Sequence, residues 1–130
     1  MKELITKITD VENLGQEYAG WDGFEVETTT QKVKLLIDNS QDCCESWGHF
    51  WMNDKPEDFI GAELLGVEVV DIALNTHKMD DIGLDEGQTM FVNLKTSVGV
   101  LQFTAYNSHN GYYGHTAEVS CEQLKYETCL

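Results

Sequence analysis

The chain contains no arginine, and its 8 lysines face 23 acidic residues, for a formal net charge of −15 at pH 7. Neutralising phosphates needs Lys and Arg in a patch, so direct nucleic-acid binding is disfavoured. A basic partner is favoured instead, because an anionic surface of this strength steers toward cationic grooves, most strongly at low salt. No stretch reaches the ~18 consecutive apolar residues of a membrane span. The first residues, MKELITKITDVENL, alternate apolar with charged positions and lack the apolar centre of a signal peptide. The expectation is a reducing cytoplasm, in which the 4 cysteines are free thiols or ligands rather than disulfides. A bond between the neighbours Cys43 and Cys44 is also disfavoured by geometry, since adjacent Cα atoms lie ~3.8 Å apart. There is no GxSxG, P-loop, HExxH, GxGxxG or CxxC pattern, so the common hydrolase, nucleotide and zincin signatures are missing.

What is present suffices for a core: 42% hydrophobic residues with 3 tryptophans, 5 tyrosines, 5 phenylalanines and 1 proline, over a length that fits a single domain, 1–130. Leu4, Ile5, Ile8, Val11 and Leu14 have the spacing of one face of a short helix. Gly20 and Gly23 around Asp22 read as a turn. Residues 24–30 and 32–38 then read as two antiparallel strands, with Val33, Leu35 and Ile37 on one face. Pro56 is placed to open a second short helix, with Asp54 as its N-cap and Glu57 and Asp58 in its first turn. AELLGVEVVDIALN is apolar on both faces, as a central strand would be. The clearest hairpin is MFVNLKTSVGVLQFTAYNS, with Gly99 free to take a positive-φ bulge position, and Asn110-Gly111 is a strong turn signal. The resulting expectation is class α+β: mostly antiparallel β-sheet with one or two short helices.

Two loops concentrate the chemistry. SQDCCESWGHF holds Cys43, Cys44 and His49, and SHNGYYGH holds His109 and His115. Zinc accepts thiolate and imidazole together and tolerates ligands from distant loops, so Cys43, Cys44, His109 and His115 are the candidate ligands, with Cys121 in reserve. Side chains of adjacent cysteines diverge, so one of the pair would ligate while the other packs inward. An ideal two-residue turn at Asn110-Gly111 would pair His109 with Tyr112 and His115 with Tyr106, sending the two imidazoles to opposite faces. A wider loop, with Gly111 and Gly114 at positive φ, would let them meet. The competing readings are buried thiols with hydrogen-bonded imidazoles, or a cysteine nucleophile with a histidine base. HKMDDIGLDEGQ collects Asp80, Asp81, Asp85 and Glu86, which reads as a solvated loop, since it lacks the ligand spacing of an EF-hand. Trp47, Trp51, Tyr112 and Tyr113 suit either core or interface anchors.

NSQDCCESWG, FIGAELLGVEVVD and AYNSHNGYYGH together resemble a small family encoded by phages and prophages of Gram-positive bacteria, over about Gly20 to Val119. Many members of that family carry Ser at the position of His109 and Gly at that of His115, which would confine a metal site there to one branch. The resemblance implies a phage setting and a place in the bacterial host cytoplasm. There the chain looks like a type II-A anti-CRISPR protein, an inhibitor of Cas9 with no catalysis of its own. Cas9 holds its heteroduplex in a positively charged channel and reads its target motif with arginines, which an anion-rich protein can occupy. Asp54, Glu57 and Asp58, or Asp80, Asp81, Asp85 and Glu86, would make the electrostatic contact, and a zinc clamp would stiffen the loops. The alternatives are a zinc- or cysteine-dependent hydrolase and a phage structural or assembly module.

Overall fold

A computed structural model of the chain describes residues 2–12, 20–39, 47–74, 88–107 and 116–130. Strands dominate them: β1 (Ile5–Val11), β2 (Trp21–Thr28), β3 (Lys32–Asp38), β4 (Trp47–Trp51), β5 (Leu64–Val70), β6 (Gln88–Thr96), β7 (Gly99–Asn107), β8 (Thr116–Ser120) and β9 (Lys125–Cys129). They form two antiparallel sheets, ordered β1-β2-β3-β8-β9 and β4-β7-β6-β5. β2 packs on β4 and β3 on β7, so the sheets lie face to face. Alternation supplies the shared core: Phe24 and Val26 from β2, Val33, Leu35 and Ile37 from β3, Ala117 and Val119 from β8, facing Met90, Val92, Leu94, Leu101, Phe103 and Ala105.

The architecture is mostly antiparallel β rather than α+β. Among the described residues there is no α-helix, and one 3₁₀ turn, Pro56–Phe59, stands where the second helix was expected. Proline opens that turn, but its cap is Lys55, with no side-chain hydrogen bond, and not Asp54. Four residues make no more than one turn, and Gly61, at φ +94, leads the chain away toward β5. The expected N-terminal helix is strand β1. Its register shifts between Ile5 and Lys7, so the extra residue at this bulge brings Ile5 and Ile8 onto the core side three positions apart. A bulged strand thereby reproduces a helical spacing, while Thr6 and Thr9 supply the β-branched side chains that favour extension.

The β2–β3 and β6–β7 hairpins follow the expected pattern, the latter closing through Thr96 opposite Gly99, with Gly99 at φ +136. Residues 64–70 form an edge strand and not a central one, since β5 pairs with β6 alone. The apolar positions beyond it, Ile72 and Leu74, are exposed. Part of the cysteine-rich loop is also strand: β4 places Trp47, His49 and Trp51 on the inner face. A Cβ at Gly48 would come within 2.8 Å of the Tyr106 hydroxyl, so this glycine gives room to the ring opposite it. Tyr106 lies between Gly48 and Thr89, while β8 pairs with β3 in the other sheet. The turn expected at Asn110-Gly111, with His109 and His115, lies outside the described residues.

Candidate functional site

The sheets separate at one margin, and the space between them is a groove of about 400 Å³ lined by Ile8, Asp10, Phe24, Trp51, Pro56, Glu57 and Ile60. Each element contributes for a local reason. β1 turns Ile8 and Asp10 to its inner side, where the register sets them opposite Val26 and Phe24. β2 adds Phe24, and β4 ends on Trp51, whose ring stacks on Phe24 at 4.6 Å and 25° between planes. The 3₁₀ turn lays Pro56, Glu57 and Ile60 along the same groove. The floor is continuous with the core, because Phe24 also meets Phe103 edge-on at 6.0 Å and His49 edge-on at 5.1 Å.

Carboxylates surround this aromatic floor. Asp10 and Glu57 are exposed on the groove itself, and Asp58 is exposed one residue beyond. None of these three makes an ion pair with a described residue. Burial pushes the His49 imidazole below its usual pKa, although Asp22, Asp10 and Glu12 pull the other way. Asp10 on β1, Asp22 on β2 and Glu12 just past the end of β1 thus direct their field at the same imidazole. Lys55 stands exposed at the start of the turn, while four other lysines gather away from the groove. Register places Lys7, Lys32, Lys34 and Lys125 on the outer face of the five-stranded sheet. There Lys32 contacts Glu25 at 2.9 Å and Glu27 at 3.6 Å. Glu25, with Glu27, holds the Lys32 ammonium above its ordinary pKa.

Of the residues singled out in the sequence, Asp54, Glu57 and Asp58 lie together at the 3₁₀ turn beside the groove. Asp80, Asp81, Asp85 and Glu86 lie outside the described residues, as do Cys43, Cys44, His109 and His115, and with them the zinc clamp. Cys121, the reserve ligand, is buried in the core. Among the described residues, no three His, Cys, Asp or Glu side chains are grouped to hold a metal ion. Nor is any helix there long and apolar enough to cross a membrane. Asp10, Phe24 and Ile8 were not singled out. The usable signal was period-2 alternation in ITKITDV and WDGFEVET, which sends position 10 toward position 24 once the two strands pair.

A family model matches residues 2–119, nearly the whole of both sheets. The chain belongs to the family described as Domain of unknown function (DUF7448). No curated protein and no solved structure matches the chain. The DUF7448 match takes in the groove, since β1, β2, β4 and the 3₁₀ turn all fall inside it.

Proposed function

We propose that this protein is a non-catalytic binding module that occupies a positively charged protein surface, and that the surface belongs to Cas9 in the cytoplasm of a phage-infected bacterial host. The observation that supports it is the division of charge across the sandwich. Lys7, Lys32, Lys34 and Lys125 share the outer face of the five-stranded sheet, while Asp10, Glu57 and Asp58, with no ion pair among the described residues, flank an open groove at the sheet margin. Exposed carboxylates of this kind are available to a cationic surface, and their field accelerates encounter with it. Two sheets sharing one core hold that array rigidly, so little ordering entropy opposes binding. Inhibition needs no bond-making: the module competes with nucleic acid for arginines and lysines of the channel, which links this surface to the phage resemblance. The test is titration of the purified protein into a Cas9 cleavage reaction. Cleavage should fall to completion near one inhibitor per enzyme, and undiminished cleavage by several Cas9 orthologues at large excess would reject the target.

A further inference from the structure

We infer that the groove between β1, β2, β4 and the 3₁₀ turn is a seat for one arginine side chain of the partner protein. This rests on the binding-module reading above and names the chemistry of its central contact. Two properties of the groove select the occupant. The floor is aromatic, with Trp51 and Phe24 both nine-tenths buried or more, so their rings are fixed and offer a π surface. Two carboxylates line it, Asp10 on β1 and Glu57 on the turn. A planar guanidinium presents donors along two edges and stays charged at every working pH, so it can address two carboxylates at once while lying against the rings. A lysine ammonium is a compact point charge that reaches one carboxylate or the other. Ile8, Pro56 and Ile60 line the same space and suit the aliphatic stem.

Two observations limit competition from within the chain. It has no arginine of its own. Lys32, the lysine of the opposite face with carboxylate partners nearest at hand, is held by Glu25 and Glu27. Asp10 and Glu57 make no ion pair with a described residue, so both carboxylates can meet a cation brought by a partner. An apolar peptide or a second copy of this acidic chain would leave both carboxylates facing apolar or like-charged surface.

The test uses the full chain and three short peptides that differ only at a central Arg, Lys or citrulline, followed through the Trp51 indole resonance. Citrulline keeps the shape of arginine and removes its charge. The Arg peptide should bind at least about tenfold tighter than the citrulline peptide and measurably tighter than the Lys peptide. The double variant Asp10→Asn/Glu57→Gln should erase that preference, and Glu122→Gln, outside the groove, should keep it. Equal binding of Arg and citrulline peptides, or an unchanged preference in the double variant, overturns the assignment. A Cas9 binding assay on the same proteins separates the two levels. If the double variant binds Cas9 as the parent does, the arginine seat is wrong while the acidic module stands. If the parent ignores Cas9 yet shows the charge-dependent peptide preference, the seat stands and the named target is wrong.

Discussion

Thr104 shows how much a single side chain can reveal about what a β-sheet tolerates. It lies on β7 between Phe50 and Phe91 in the register, on the outer face of the four-stranded sheet, and is wholly buried. Its Oγ1 has no hydrogen-bond partner among the described residues. A buried hydroxyl with no partner carries a desolvation penalty, and valine has nearly its shape without the oxygen. Thr104→Val should therefore stabilise the fold by about 1 kcal/mol, seen as a higher urea midpoint with an unchanged slope; a lower midpoint would show that the hydroxyl is satisfied. Gly23 makes the opposite point about its own site, since a Cβ there would fall 1.9 Å from the Leu35 carbonyl oxygen. In the sequence it looked like part of a turn. Its actual role, letting β2 and β3 approach within a sheet, depends on a neighbour twelve positions away that no local pattern reports.

Among elements, the connection that leaves β5 is held by one glutamine. Gln102, fully buried on β7, accepts from the Leu74 N–H at 2.8 Å and donates to the Ile72 carbonyl at 3.0 Å and to Asn93 Oδ1 at 2.8 Å. Its side-chain amide thus pairs with the backbone of residues 72 and 74 as a strand would, after the strand itself has ended. Gln102→Leu would fill similar space and strand those groups, so it should cost about 2–3 kcal/mol and speed hydrogen exchange at Leu74. A loss well below this would mean that the segment is anchored by other contacts. What was legible among the elements follows from alternation: β3 and the β6–β7 hairpin show an uninterrupted period of two, with an apolar face turned inward. β1 was misread because a bulge mimics a helical spacing. β5 was misread because flanking valines on both faces do not distinguish a central strand from an edge strand whose second face is partly covered. β4 was absorbed into a loop because Gly48 interrupts its pattern, although Trp47, His49 and Trp51 alternate correctly. Of the site, the acidic turn was legible from Asp54, Glu57 and Asp58 standing around a proline. The groove was not, because Asp10, Phe24 and Trp51 meet only when two sheets close on each other.

At the scale of the molecule, a large negative charge is compatible with stability because most of it remains solvated, while Lys32 and Lys95 stand against glutamates, one on each sheet. At the groove margin Asp10 and Glu57 make no ion pair with a described residue, an arrangement that costs little in water and becomes favourable when a cationic surface approaches. Such binding is distinguished from apolar docking by its response to salt, because screening weakens the attraction between exposed charges and leaves hydrophobic contact intact or strengthened. The most direct measurement is the dissociation constant of the purified protein with Cas9, taken from low ionic strength to about 0.5 M salt. A rise of about tenfold or more, steepest for the parent and shallower for Asp10→Asn/Glu57→Gln, is the expected result. A dissociation constant that stays level or falls across that range would contradict binding through the acidic margin.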